Sequence, residues 1–222
     1  MTPNDFFREL IKLYADAGLS KFPNKSVFRG RNASISSSLE DLFADFLAKN
    51  NPNQCTYYID QPMSFSGEKN TKYPDIVIQN PDGVIEHLID MKADLGWNRN
   101  GMLDFCKEWD DRIKAAKGKP TYFYNGMVVT NGKSKKKLIE KLFSENLHYH
   151  IVVATQYNSG KNVLSDYDIV KNNFHHVSLY ILSDNTKHPN DQTISQEELL
   201  SQMFINTDEF ERLLSAVTKL NR

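Results

Sequence analysis

Apolar positions change period several times along the chain, and the changes mark its elements. Phe6, Phe7, Leu10, Leu13, Tyr14 and Ala17 recur at helical spacing and predict a helix from Pro3 to Ala17, with Pro3 near its start and Gly18 just past its end. Leu39, Leu42, Phe43, Phe46 and Leu47 form a second stripe over about Ser38 to Lys49, where Ser37 and Glu40 have the spacing of a capping box. The period then shortens. Thr56-Tyr57-Tyr58-Ile59 centres a strand region from Cys55 to Phe65, limited by Pro62. Tyr73 to Gln79 and Val84 to about Ala93 read as two arms of a hairpin around Asn80-Pro81-Asp82-Gly83, whose residues suit a type I turn. Helical spacing returns from Met102 to Ala116, with Met102, Phe105, Cys106, Trp109, Ile113 and Ala116 as the buried face.

The second half is less regular. Thr121 to Thr130 is β-branched but interrupted by Asn125-Gly126, which fits a bulged strand or a short hairpin. Leu138, Ile139, Leu142 and Phe143 predict a helix from Ser134 to about Asn146. His148 to Thr155 reads as a buried strand, Gln156 to Ser165 as a polar loop and Val177 to Leu182 as another strand. Two short helices close the chain near Ser195 to Phe204 and Thr207 to Leu220. The pieces give an α/β fold: helix, three-stranded meander, helix, strand, with extra helices at both ends. A hairpin followed by a helix-linked strand puts parallel and antiparallel neighbours in one sheet.

A length of 222 residues suits a single domain with a sizeable core. The net charge of −1 disfavours a protein held to nucleic acid by bulk charge alone, so any such binding needs its positive charge gathered on one face. Lys133, Lys135, Lys136 and Lys137 are the densest basic cluster, placed by this reading at a helix start; a solvated face is the favoured role, and a phosphate partner, which would offset their unfavourable position, is the alternative. Cys55 and Cys106 have no metal-ligand spacing, which argues against structural zinc and for a reducing, cytoplasmic compartment. No apolar run has membrane-spanning length, and no membrane partner is expected. His148 and His150 share a strand face, but no third ligand stands at a suitable spacing, so packing is the expected role.

The candidate chemistry lies in the hairpin. If Asn80 and Gly83 close the turn, Asp75 falls opposite Leu88 and diagonal to Asp90, and Asp75, Asp90 and Lys92 share one face. Two close carboxylates repel unless one is protonated or a hard cation joins them, and Mg²⁺ prefers such oxygen ligands.

Pro74-Asp75, fourteen residues, then Asp90-Met91-Lys92 resembles the PD-(D/E)XK nuclease family, over roughly Ser36 to Thr155. The resemblance implies a restriction-endonuclease-like mixed β-sheet flanked by helices, an αβββαβ core. It implies a Mg²⁺-dependent endonuclease, with Mn²⁺ as a substitute ion, cutting double-stranded DNA as a sequence-specific type II restriction enzyme and homodimer. Asp75, Asp90, the Met91 carbonyl and Glu40 would hold the ion, and Lys92 would position the attacking water. Glu40 has the competing role of capping its helix. Arg29, Arg31, Asn98, Arg99, Lys135 and Lys136 are the candidate DNA contacts, and positions 156–222 would serve recognition or dimerisation. A repair or junction-resolving nuclease, or a non-catalytic DNA-binding or assembly module, fits the same pattern. The helix after the hairpin lacks the Gln and Tyr pair of branches that are often exonucleases.

Overall fold

Helices cover both faces of a curled, mixed β-sheet. The structure is a computed structural model that describes residues 1–21, 26–65, 68–98, 101–130, 133–159 and 163–219. In chain order the elements are α1 (Pro3–Ala17), α2 (Ser36–Asn50), β1 (Thr56–Ile59), β2 (Met63–Ser64), β3 (Ile76–Gln79), β4 (Val84–Asp94), a 3₁₀ turn (Leu95–Asn98), α3 (Met102–Ala116), β5 (Pro120–Thr130), β6 (Lys133–Thr155), α4 (Val163–Asn173), β7 (Val177–Ile181), α5 (Gln196–Gln202) and α6 (Thr207–Thr218). The sheet order is β1-β3-β4-β6-β5-β2, with β7 also beside β6. β1, β3 and β4 form the antiparallel meander, and α3 followed by β5 carries the chain across to β6, which lies antiparallel to β5 and parallel to β4. A crossover helix is what a parallel pair requires.

The sheet separates two cores. On one face, Ile76, Ile78, Ile89, Met91, Val152 and Ala154 pack against α1, α2, α5 and α6, where Phe6, Phe43, Phe46 and Phe210 meet ring to ring. On the other, Val77, Leu88, Tyr149, Ile151 and Val153 pack against α3 and Val170 of α4. Trp109 of α3 stacks on Tyr149 with ring centroids 3.9 Å apart. α1 begins with a capping box, in which Thr2 Oγ1 accepts from the Asp5 N–H and Asp5 Oδ2 accepts from the Thr2 N–H.

Several expectations need correction. The segment predicted as a helix from Ser134 is the first half of β6, paired antiparallel with β5 from Pro120↔Leu142 to Thr130↔Lys133. The lysines therefore stand on a strand, not at a helix start. Apolar spacing at 138, 139, 142 and 143 is compatible with either structure over so short a window, and pairing with β5 decides it. β5 is one bulged strand, its register shifting between Tyr124 and Met127 with Gly126 at φ 72°. The predicted strand from Cys55 splits into β1 and β2, because β2 leaves the meander to pair with β5. α4 was not expected. Among its described side chains only Val170 is buried, so its sequence carries little amphipathic signal. No capping box starts α2: the helix begins at Ser36 after Ile35, with no side-chain cap.

His148 and His150 gain a third histidine across the sheet. His87 Nδ1 lies 3.1 Å from His150 Nε2, His150 Nδ1 lies 3.1 Å from the Tyr180 hydroxyl, and His148 Nε2 lies 2.9 Å from Ser178 Oγ. Both His150 nitrogens are thus engaged in hydrogen bonds, so the packing role stands. Burial holds all three imidazoles below their usual range, His87 at about 3 and His148 at about 4.

Candidate active site

The β3–β4 hairpin positions the site. The Gly83 N–H donates to the Asn80 carbonyl at 3.0 Å, and the Asn80 N–H donates to the Val84 carbonyl at 2.9 Å. Gly83 takes φ 85°, so the loop is a type I turn followed by a left-handed residue, one position longer than the simple turn expected. The Asn80 side chain closes it by accepting from the Val84 N–H at 3.0 Å. A bulge then adds a second position: Gln79 pairs with Ile85, but Ile78 pairs with His87, leaving Glu86 extra.

Each insertion alone would turn the following side chains to the opposite face. Together they shift the register by two and restore it. Val77, rather than Asp75, lies opposite Leu88, and Ile76 pairs with Ile89. Continuing that ladder brings Asp75 opposite Asp90 rather than diagonal to it. Leu88 belongs to the α3-side core and Ile89 and Met91 to the other, so alternation sets Asp90 and Lys92 on the α3 side of β4.

Lys92 Nζ donates to Asp90 Oδ1 at 2.7 Å and lies 3.6 Å from Asp75 Oδ2, which accepts from the Met91 N–H at 2.6 Å. The Asp90 side chain is 9% exposed, Asp75 17% and Lys92 25%. Burial, then the charge of Asp90, pushes the Asp75 carboxyl up to about 8, and the Lys92 ammonium and Met91 N–H offset only part of this. Burial opposes charge on Lys92 as well, but the two carboxylates outweigh it and hold the ammonium above its usual range. One cation thus stands against two carboxyl groups and offsets only part of what raises Asp75.

No protein-family model, curated protein or solved structure matches this chain. The site therefore stands on its geometry. Asp75, Asp90 and Lys92 come together as the sequence predicts. Glu40 does not join them closely. It is the fifth residue of α2, whose apolar side packs on the sheet face away from Asp90. Burial and the neighbouring Asp60 raise the Glu40 carboxyl, with Lys92 opposing and Asp90 adding a smaller push, so it lies within electrostatic range of the pair. Among the described residues, no group of three or more His, Cys, Asp or Glu side chains is arranged to hold a metal ion.

Arg29 and Arg31 are exposed on the segment between α1 and α2, where Arg29 Nε donates to the Arg31 carbonyl at 3.4 Å. Asn98 ends the 3₁₀ turn after β4, and Arg99 lies outside the described residues. Lys135 and Lys136 occupy rungs of the β5–β6 ladder opposite Val128 and Met127.

Sequence reasoning passed over Asp60. It follows β1 with φ 49°, its N–H donates to the Asp75 carbonyl at 2.9 Å, and its charge is the largest electrostatic influence on Glu40. Asp tolerates the left-handed region, so an Asp closing a short strand just before Gln61-Pro62 was the available signal.

Proposed function

We propose that this chain is a Mg²⁺-dependent endonuclease of the PD-(D/E)XK type that hydrolyses phosphodiester bonds of double-stranded DNA. Within that type we favour a sequence-specific type II restriction endonuclease acting as a homodimer, because two cuts in a palindrome call for two sites related by two-fold symmetry. The observation that carries the reading is the meeting of Asp75 and Asp90 at Lys92, whose Nζ lies 2.7 Å from Asp90 Oδ1 and 3.6 Å from Asp75 Oδ2. The order α2, β1, β3, β4, α3, β6 supports an αβββαβ core, with β2 and β5, the latter between α3 and β6, as additions.

The donor set fits a hard divalent ion. The Asp75 carboxyl pays a penalty for ionising beside Asp90, which a second cation removes. Asp75, Asp90 and the Met91 carbonyl would hold Mg²⁺ or Mn²⁺. N–H and C=O of one residue leave an extended strand on the same side, so the carbonyl follows the Met91 N–H toward Asp75. The ion would supply Lewis-acid polarisation of the scissile phosphate and acidify a water. Lys92, freed from Asp90, would orient that water for in-line attack and stabilise developing charge on phosphate oxygens. The α3-side core beneath the pair keeps bulk water from the carboxylates. Glu40 is close enough to tune the field around Lys92.

The test is digestion of long unmethylated DNA with Mg²⁺ or Mn²⁺, beside Lys92→Ala. Discrete fragments that disappear in the variant support the restriction reading, with a loss of about 10²–10³-fold for removing a group that stabilises the developing charge. A smear lost in the variant keeps the nuclease and points to a repair or structure-directed role. No cleavage with either ion overturns the reading in favour of a non-catalytic module.

A further inference from the structure

The β5–β6 ribbon carries the charge that the rest of the chain lacks. Between positions 120 and 142 stand Lys133, Lys135, Lys136, Lys137 and Lys141 against Glu140 alone. That is +4 in a chain of net −1, which leaves −5 elsewhere. Lys137 is exposed, and Lys133, Lys135 and Lys136 occupy rungs opposite Thr130, Val128 and Met127.

The ribbon also projects. β2 pairs with β5 only at Tyr122 and Phe123, and β4 meets β6 only from Leu142 onward. Outward of Tyr124↔Leu138, neither strand has another strand beside it among the described residues. Six steps from Tyr124 to Thr130 give an arm about 20 Å long. Toward its base the inner side is packed, with Thr121 and Phe123 buried, while Tyr122, Leu138 and Leu142 are exposed. Met127, beyond the bulge, is 66% exposed. The bulge at Asn125-Gly126 turns the arm relative to its base.

Short hydrogen-bonded steps tie the base of the arm to the candidate site. The Tyr124 N–H donates to the Pro62 carbonyl at 3.0 Å, Gln61 Nε2 donates to the Tyr124 carbonyl at 3.3 Å, and the Asp60 N–H donates to the Asp75 carbonyl at 2.9 Å. Two residue steps and two strand-like contacts bound the Asp75 to Tyr124 separation at about 17 Å. That is half of one DNA turn of about 34 Å. A major groove about 12 Å wide admits a two-stranded ribbon.

We propose that the β5–β6 ribbon is a DNA-docking arm that lies in the major groove of the duplex, its lysines meeting phosphates, and so sets which phosphate reaches Asp75 and Asp90. This rests on the nuclease reading above. The competing role for these lysines is protection of open strand edges against pairing with another chain.

The test uses the full chain in the Lys92→Ala background and a 40-base-pair mixed-sequence duplex. Affinity is measured by fluorescence anisotropy across a salt series, and guanine N7, which lies in the major groove, is probed with dimethyl sulfate. The triple variant Lys135→Gln, Lys136→Gln, Lys137→Gln should bind at least about 10-fold more weakly at 100 mM salt. Its log–log salt slope should fall by about 2–3, since each phosphate contact contributes about 0.9. N7 protection should weaken with it, and the matching triple Lys→Arg variant should restore both. Unchanged affinity and slope in a folded triple variant overturn the arm, as does unchanged affinity with new self-association, the mark of edge protection. Weaker binding without N7 protection in the parent protein overturns the groove assignment. If the Lys92-intact protein cuts DNA while the glutamines change nothing, the arm alone falls. If it neither binds nor cuts, the nuclease reading falls with it.

Discussion

Asp75→Asn tests whether the Asp75–Asp90 pair is held together against its own charge. Without divalent ions, the variant and the parent should be equally stable near pH 4, and the variant should become the more stable as pH rises. The unfolded Asp75 carboxyl releases its proton near 3.8, whereas the folded one holds it to about 8. Between these values the folded state binds more protons than the unfolded, so the stability contributed by the protonated pair is full below 3.8 and is lost as pH rises through 8. The interval multiplied by 1.36 kcal/mol per pH unit gives an upper bound of about 6 kcal/mol. Relaxation of the pair and the residual exposure of Asp75 reduce the expected gain of Asn over Asp to about 2–4 kcal/mol at pH 9. Urea unfolding at pH 4, 6, 7.5 and 9 measures it. Mg²⁺ should then narrow the gap at pH 9 by stabilising only the parent, by about 1.4 kcal/mol at ten times its dissociation constant. A gap between the two proteins that is the same at pH 4 and pH 9 would refute the reasoning, and so would equal stabilisation of both by Mg²⁺.

The histidine cluster gives the opposite slope. The His87 imidazole is depressed to about 3, so its contribution is intact above the unfolded value near 6.5 and is lost as pH falls toward 3; His87→Gln should flatten the acid limb of stability over that window, read as urea midpoints at pH 7, 5 and 4. Trp109→Ala removes the ring stacked on Tyr149 and a cation–π partner whose Arg112 carbon lies 4.5 Å from its centroid, and should cost about 3–5 kcal/mol in the same assay.

The sequence made some elements plain because local and tertiary preferences agree there. α1 and α3 fall on their predicted bounds, since both carry a clear apolar stripe at helical spacing, joined in α1 by Pro3 at its start and Gly18 just past its end. Elsewhere the deciding partner is remote. β6 from Lys133 to Phe143 has no local feature that forbids a helix, and only β5 and β4 make it a strand. Asp60 is invisible to spacing, because its relation to Asp75 arises from the β1–β3 pairing.

The hairpin is the instructive case. The turn type was readable from Asn80, Pro81 and Gly83, yet the register derived from it was two positions out, because the left-handed Gly83 and the extra Glu86 each add a residue. The face of Asp75, Asp90 and Lys92 came out right all the same. A face depends only on the parity of the insertions, whereas contact depends on their number. A single further insertion or deletion in β4 ahead of Asp90 would keep the fold's hydrophobic content but turn Asp90 and Lys92 into the α1–α2 core. There a buried carboxylate and ammonium would displace Ile89 and Met91. The apolar residues on both sides of β4 thus penalise every register of the wrong parity, while the number of insertions, set by Gly83 and Glu86, brings Asp75 opposite Asp90.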